Sequence, residues 1–370
     1  MANLLVTGGA GFIGANFVRY WRAHHPDDAI VVLDALTYAG NRANLSGVED
    51  ILFVHDDIRS TALVASTIDD HDIDTIVHFA AESHVDRSID GPDAFLETNV
   101  NGTHSLLKAA KTAWLDRGGG RPHRFHHIST DEVYGSLGPD EPPFLETSTY
   151  APNSPYSASK AASDHLVRAY NRTYGLATTT TNCSNNYGPY QFPEKLVPLF
   201  IINCLSGRKL PIYGDGMNVR DWLHVEDHCR AIETVLMRGE IGETYNVGGS
   251  EELTNMAVVD AICDAMEEAF SVDPALEARF PDAPPVGGAR FCALKSYVTD
   301  RPGHDRRYAI DAGKIRSALG YKPRQTFRAG LADTIRWYLD NEDWWRSVMD
   351  GSYRDWLDRN YAGRMLGQLA

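Results

Sequence analysis

The sequence is short of the features that mark several large classes of protein. Its five cysteines, Cys183, Cys204, Cys229, Cys263 and Cys292, are scattered, odd in number and never spaced as CxxC. That argues against a disulfide framework or a structural zinc site and leaves them as reduced core thiols. No apolar run approaches the roughly 20 residues of a membrane span, and Met1-Ala2-Asn3 leads directly into Leu4, Leu5 and Val6 with no basic leader. The expectation is a cytoplasmic protein with no membrane partner. Basic residues number 35 against 50 acidic ones, a net charge of −15; nucleic acid is a poor partner, although local cations can still meet a small anion. Glycine and proline, 31 and 18 residues, are too few and too aperiodic for a collagen-like or low-complexity chain. What is there, 43% hydrophobic and 23% charged over 370 residues, is globular composition with material for one large or two smaller domains.

Short β-branched apolar runs alternate with helix-length segments in the N-terminal half. Candidate strands are Leu4 to Thr7, Ile30 to Asp34, Ile51 to His55, Thr75 to Phe79, Phe125 to Ser129 and Thr178 to Cys183. Such alternation predicts βαβ units and an α/β, doubly wound parallel sheet of the Rossmann type. After about Gly188 the regularity breaks into a helix near Leu196 to Leu205, a turn at Gly214 to Gly216 and short strands near Thr244 to Val247, which fits a smaller mixed α/β lobe better than more sheet. Pro274, Pro281, Pro284 and Pro285 mark Ser271 to Gly288 as a long loop. Trp337, Trp344, Trp345 and Trp356 recur at helical spacing near the C-terminus; this is the pattern of core or interface packing, and no chemistry is assigned to them.

Directly after the first strand comes Gly8-Gly9-Ala10-Gly11-Phe12-Ile13-Gly14, followed by the helical pattern of Ile13, Phe17 and Val18. Glycines there permit a tight turn and let backbone N–H groups at a helix N-terminus approach a pyrophosphate. The second strand ends at Asp34, where a carboxylate accepts hydrogen bonds from both ribose hydroxyls and repels a 2′-phosphate, favouring NAD over NADP. Strand, glycines, helix and acid in one register outweigh the plain reading of Asp34 as a turn residue. Asp57 and Ile58 after the third strand, and Ala80, Ala81, Glu82, Ser83 and His84 after the fourth, lie at the sheet edge where ligands bind in such folds; a helix cap is an equal reading for Asp57.

The fifth strand delivers Ser129, Thr130, Asp131 and Glu132 to that edge. Tyr156 and Lys160 follow, four apart on one helix face, so the ammonium is expected to stabilise a phenolate and lower the tyrosine pKa. This makes Tyr156 a candidate general base for a sugar hydroxyl. YxxxK alone is a weak signal, yet Tyr156 is the one tyrosine of 17 with lysine at +4. An acidic strand-to-loop exit is the plain alternative for Asp131 and Glu132. His224 and His228 are spaced as helical metal ligands, but no third ligand suggests itself, and a capping or core role is favoured; no metal is expected.

These residues together resemble the extended short-chain dehydrogenases/reductases that act on nucleotide sugars, and within them the dTDP-glucose 4,6-dehydratase family. The motifs carrying the resemblance are Thr130-Asp131-Glu132-Val133-Tyr134-Gly135, Tyr156-Ser157-Ala158-Ser159-Lys160, Asn182-Cys183-Ser184-Asn185-Asn186-Tyr187-Gly188-Pro189-Tyr190 and Asp300-Arg301-Pro302-Gly303-His304-Asp305. The match runs from about residue 3 to about 340. It implies NAD as cofactor, dTDP-glucose as substrate and a homodimer paired through helices that include the YxxxK helix. It implies residues 1–188 as the NAD-binding domain and 189–370 as mainly a nucleotide-sugar lobe, with some segments returning to the first.

The resemblance also implies roles. Thr130, Asp131, Glu132, Tyr156 and Lys160 are the catalytic set. Oxidation at C4 makes the C5 proton acidic and the C6 hydroxyl a leaving group; Glu132 takes the proton, Asp131 protonates the hydroxyl, and hydride returns to C6. Two neighbouring carboxyls with opposite tasks need pKa values driven apart, Asp131 upward. The NAD set comprises Gly8, Gly11, Phe12, Ile13, Gly14, Asp34, Ala35, Leu36, Thr37, Asp57, Ile58, Ala80, Ala81, Ser83, Thr98, Tyr156, Lys160 and Asn186. Substrate contacts comprise Ser83, Thr130, Asn185, Glu194, Lys195, Leu196, Pro211, Ile212, Tyr213, Arg220, Asn255, Asp300, Arg301 and His304. Arg220 and Lys195 suit a diphosphate, Arg301, Arg306 and Arg307 read as a cationic patch, and plain readings remain: Lys195 as solvated charge, Asn255 as a cap for the helix from Met256. The glycine-rich loop Arg117 to His123, the stretch after Ser271 and the tail beyond Asn341 depart from the family pattern.

A UDP-glucose 4,6-dehydratase and a nucleotide-sugar 4-epimerase are the competing enzymes; epimerases are not expected to carry the adjacent Asp-Glu pair. A regulator that senses NAD without turnover is the competing non-enzyme, and it would need only the glycine loop and Asp34.

Overall fold

The computed structural model describes residues 2–349. Six strands of the N-terminal half, β1 (Asn3–Thr7), β2 (Ala29–Asp34), β3 (Ile51–His55), β4 (Thr75–His78), β5 (Arg124–Thr130) and β6 (Thr178–Cys183), lie in one parallel sheet. Alternation within each strand feeds two cores. Leu5, Val31, Leu33, Ile76 and Phe125 pack on one face against Leu106, Trp114 and Val167. Leu4, Val6, Ile30, Val32 and Val77 pack on the other against Phe17, Val18, Ile232 and Leu236. Both faces of a parallel sheet are thereby covered, as the absence of a solvated face requires; each fully buried Leu or Val contributes about 1.5–3 kcal/mol.

Beyond β6 the chain builds a second set of elements: β7 (Asn185–Tyr187), β8 (Leu210–Tyr213), β9 (Val219–His224), β10 (Thr244–Val247), β11 (Glu252–Thr254) and β12 (Lys295–Val298). β11, β9 and β7 form a three-stranded sheet, and β12 pairs with β8. The short strand Thr244–Val247, read from sequence as part of the second lobe, instead pairs with β6 and completes a seven-stranded sheet in the order β10-β6-β5-β4-β1-β2-β3. The helix Val225–Arg238 likewise covers the large sheet beside the first helix, Phe12–His24. Its apolar residues Cys229, Ile232 and Leu236 are complementary to that face, so burial overrides order along the chain.

The stretch expected as a loop from Ser271 to Gly288 is shorter in irregular structure than its prolines suggested. A helix runs from Asn255 to Val272, a second turns through Ala275–Arg279, and a 3-10 turn holds Pro284–Gly287. Proline is tolerated at the first position of such turns because that N–H has no intrahelical partner. Four cysteines are buried and Cys292 is half-buried, all as free thiols. Trp337, Trp344 and Trp345 pack with the core of the second lobe; Trp356 lies outside the described residues. Among the described residues no helix is long and apolar enough to cross a membrane.

Candidate active site

The strand order reverses at β1 and β4, and a cavity of about 340 Å³ opens at the carboxyl ends of the strands there. That is where open α/β sheets bind ligands. The glycine loop forms its floor. Gly8 has φ +69°, and a Cβ on it would lie 2.5 Å from the Ala80 nitrogen; one on Gly14 would lie 2.2 Å from the Gly8 oxygen. The helix Phe12–His24 begins at Gly11 with no side-chain cap, so its first N–H groups are left for an anion. At the end of β2 the Asp34 carboxylate accepts hydrogen bonds from the Ala10 and Leu36 N–H groups, each at 2.8 Å. Burial raises its pKa and those two amides oppose the rise. The loop amides aim the carboxylate and leave lone pairs for two hydroxyls. Glycine loop, uncapped helix and aimed carboxylate fit a dinucleotide with an unphosphorylated adenosine ribose.

Gly8, Gly11, Phe12, Ile13, Gly14, Asp34, Ala35, Thr37, Asp57, Ile58, Ala80, Ala81, Ser83, Thr98, Asn186, Tyr156 and Lys160 all line this cavity. Leu36 does not: at φ 50° its N–H turns to Asp34, and its side chain packs against the sheet. Asp57 does not cap a helix but pairs with Arg59 at 2.8 Å. His228 hydrogen-bonds the Asn186 side chain at 2.9 Å, and His224 caps the helix that carries His228.

The catalytic candidates converge on the same cavity. The helix Pro155–Tyr174 starts in a capping box of Ser154 and Ser157, with proline at its first position, and ends at left-handed Gly175. This fixes Tyr156 in the first turn and Lys160 one turn on, both buried. The Lys160 amine donates to the Ile128 carbonyl at 2.8 Å. The Thr130 hydroxyl donates to Asp131 Oδ1 at 3.4 Å and works to lower the nearby Tyr156 phenol, yet burial, with the Glu132 carboxylate next, holds the phenol well above its ordinary pKa. The expected lowering by Lys160 is therefore not present: the ammonium turns to a backbone carbonyl, and its own pKa is lowered by burial and supported by Asp164.

Asp131 and Glu132 leave β5 in a 3-10 turn, Thr130 accepting a hydrogen bond from the Glu132 N–H at 3.2 Å. Their side chains meet different surroundings. Asp131 is enclosed, its Oδ2 is without a hydrogen-bond partner, and burial together with Glu132 raises it well above the carboxylate range. Glu132 is also raised by burial, but Arg301, Arg220 and Lys195 pull the other way. One carboxyl is thus held as an acid while its neighbour sits among cations, the separation that acid and base roles require.

A second cavity of about 170 Å³ adjoins the first, sharing Glu132, Asn185, Glu194, Lys195, Leu196 and Trp222. Pro211, Ile212, Tyr213, Arg220, Asn255, Arg301 and His304 line it, whereas Ser83 and Thr130 line only the first. Asp300 lines neither; it holds His304 at 2.6 Å and the Arg301 N–H at 2.8 Å. Thr254, not Asn255, caps the following helix. The cationic patch is divided: Arg306 pairs with Asp215 and Arg307 with Glu252, both away from the cavity, while Arg301 enters it. Lys195 is no solvated charge, since its ammonium donates to the Ser83 carbonyl at 2.9 Å.

Sequence reasoning missed Asp86, which accepts from Arg301 at 3.0 Å and from the Tyr213 hydroxyl at 2.9 Å, and Arg87, which pairs with Glu194 at 2.9 Å and lies over the Tyr38 ring. These partners lie 107 to 215 positions apart, and no local pattern announces them.

The family model described as GDP-mannose 4,6 dehydratase matches residues 5–334. The chain is 53% identical to dTDP-glucose 4,6-dehydratase 1 of Escherichia coli (strain K12), over 98% of this chain and 99% of that one. It is 55% identical to the dTDP-glucose 4,6-dehydratase of Xanthomonas campestris pv. campestris (strain B100), over 96% and 98%. Among solved structures it is similar to DesIV, the dTDP-glucose 4,6-dehydratase of Streptomyces venezuelae, with NAD and dTDP bound, at a TM-score of 0.82 and 50% identity over 94% of this chain and 99% of that one.

Proposed function

The chain belongs to the GDP-mannose 4,6-dehydratase family, and from that premise we infer that it is an NAD-dependent hydro-lyase that converts dTDP-glucose to dTDP-4-keto-6-deoxyglucose and water. The observation that carries the reading is Glu132 in the wall between the two cavities, beside Asp131, whose carboxyl burial raises well above the ordinary carboxylate range. Bound NAD supplies the acceptor for hydride from C4 and the donor that returns it to C6, so the cycle is redox-neutral.

The residues divide the remaining work. Tyr156, ionised to the phenolate with Thr130 donating to it, takes the C4 hydroxyl proton and becomes the phenol, while Lys160 holds the Tyr156 helix against β5 through the Ile128 carbonyl. Once C4 is a ketone, the C5 proton is α to a carbonyl, and Glu132 removes it. Asp131 donates its proton to the C6 hydroxyl, which leaves as water; as hydride returns to C6, Glu132 gives its proton back to C5, and the proton gained by Tyr156 balances the one Asp131 gave up. Arg220, Arg301 and Lys195 bind the diphosphate; a guanidinium can contact two phosphate oxygens at once. The glycine loop, Asp34 and the turn from Ala80 to Ser83 hold the cofactor. Residues 1–188 act chiefly on NAD, and those beyond chiefly on the sugar nucleotide. The protein works in the cytoplasm as a homodimer paired through helices that include Pro155–Tyr174.

Incubation with dTDP-glucose and with UDP-glucose, followed by mass analysis, tests the reading. Loss of one water from the dTDP sugar is expected. Preferential dehydration of UDP-glucose overturns the base assignment, a mass-neutral isomer makes the chain an epimerase, and NAD binding without any turnover makes it a binder.

A further inference from the structure

The aromatic residues near the end of the described chain take no part in the chemistry above, yet one of them reaches the nucleotide loop. Trp344 lies on the helix Glu342–Val348, and its indole N–H donates to Asn44 Oδ1 at 2.7 Å across 300 positions of sequence. Asn44, buried beside the first helix, donates from Nδ2 to the Ala10 carbonyl at 2.8 Å. Ala10 stands inside the glycine loop, and its own N–H holds Asp34 Oδ2 at 2.8 Å. Three hydrogen bonds thus run from the C-terminal helix to the carboxylate that meets the adenosine ribose.

A second tie starts at the same place. Tyr190 holds a left-handed backbone, φ 64°, a strained conformation that persists only where surroundings over-determine it. Its ring lies between Trp337, at 4.6 Å, Trp344, at 5.7 Å, and the Arg19 guanidinium, at 4.7 Å. Asn16, on the helix that begins at the glycine loop, donates to the Pro189 carbonyl at 2.9 Å. The aromatic cluster therefore joins the glycine loop to the segment leading to Gln191, Phe192, Glu194 and Lys195, all of which line the first cavity.

We propose that Trp344 is a positioning residue for the cofactor: acting through Asn44 and Ala10, it clamps the glycine loop and slows the release of NAD. The proposal rests on the dehydratase reading, which supplies the need. The hydride removed from C4 must remain with the same cofactor molecule until it reaches C6, so escape in mid-cycle would strand a ketone. A clamp remote from the reacting atoms prolongs residence without altering the chemical steps.

The test uses the purified holoenzyme and follows exchange of bound NAD against excess labelled NAD with no substrate present. Trp344→Phe keeps an aromatic ring but loses the N–H, and it is expected to release NAD about five- to tenfold faster, the loss of one net hydrogen bond. Its kcat at saturating NAD and its KM for dTDP-glucose are expected to match the wild type. Asn44→Ser, which breaks the same chain from the other side, should raise release to a similar degree, and adding Trp344→Phe to it should raise release little further. Trp337→Phe, in the same cluster but without the bond, should leave release unchanged. Unchanged release in Trp344→Phe, or an equal increase in Trp337→Phe, overturns the clamp while leaving the dehydratase reading intact. Wild-type protein that takes up no NAD overturns both.

Discussion

The Lys160 ammonium donates to the Ile128 carbonyl at 2.8 Å, on the strand that ends at Thr130 and leads directly into Asp131 and Glu132. This bond ties the helix of Tyr156 to the strand of the acid and base. Lys160 is buried, and burial lowers its pKa against the nearby Asp164 carboxylate, itself raised to about 6 by burial. Lys160→Met should free the Tyr156 helix from that strand, misplace the phenol and slow C4 oxidation by a factor of about 10². Rapid-mixing absorbance of reduced cofactor measures this step; an unchanged rate would remove Lys160 from the mechanism.

Tyr156 and Glu132 should separate the reaction into halves. Glu132→Gln is expected to permit oxidation and accumulate reduced cofactor, because the sugar then stops at the 4-ketone. Tyr156→Phe is expected to stop before any reduced cofactor appears. Identical traces from the two variants would refute the division of labour.

Asp131 gives a pH dependence with a definite sign. Its folded-state pKa is raised well above that of an ordinary aspartate, chiefly by burial and next by Glu132. The native state thus keeps a proton that the unfolded chain has released, and stability falls as pH climbs from the unfolded pKa, about 4, toward the raised native one. Asp131→Asn, which retains shape but cannot ionise, should therefore melt a few degrees higher than the wild type at pH 7 and with little difference at pH 4. The same variant should lose proton donation to the leaving hydroxyl and with it most turnover. A melting difference largest at low pH would contradict the assigned shift.

Asp34→Asn should weaken NAD and narrow the preference over NADP by at least about tenfold, because the charge that repels a 2′-phosphate is removed while the side chain keeps one oxygen for the loop amides. Titration of the cofactor-free protein with both dinucleotides measures it, and an unaltered ratio would show that discrimination lies elsewhere.

Arg220 is placed by its bonds to the Val219 carbonyl at 2.7 Å and the Asp305 carbonyl at 2.9 Å, with Tyr308 beneath the guanidinium. Arg220→Lys keeps the charge but not the fork. The KM for dTDP-glucose is expected to rise by about tenfold or more with a smaller change in kcat, since the diphosphate is remote from the reacting carbons. Equal losses in both constants would place Arg220 at the chemistry instead.

The glycine loop, Asp34 and the Tyr156–Lys160 pair were legible because each is local: a few adjacent residues, or two on one helix face, fix the geometry through backbone rules alone. The six N-terminal strands were legible for the same reason, since side-chain alternation along each writes its two buried faces into the sequence. Thr244–Val247 was misplaced because a four-residue strand, Thr-Tyr-Asn-Val, carries no label for the sheet it joins; that depends on the open edge of β6. Asp86 with Arg301, Arg87 with Glu194, and Trp344 with Asn44 were invisible, each being a contact between segments brought together only by packing.

The sequence by itself therefore determined which chemical groups the protein owns and which strand ends and helix faces carry them. Tertiary structure alone decided their charges and their company. Burial raises both Asp131 and Glu132, and the cations Arg301, Arg220 and Lys195 gathered about Glu132 set the two apart; packing turns Lys160 away from the phenol it was expected to acidify and sends Arg301 into the cavity while Arg306 and Arg307 are held outside by Asp215 and Glu252. A proton's affinity depends on the dielectric and charges surrounding a group in three dimensions, and a linear chain does not contain that environment until it has folded.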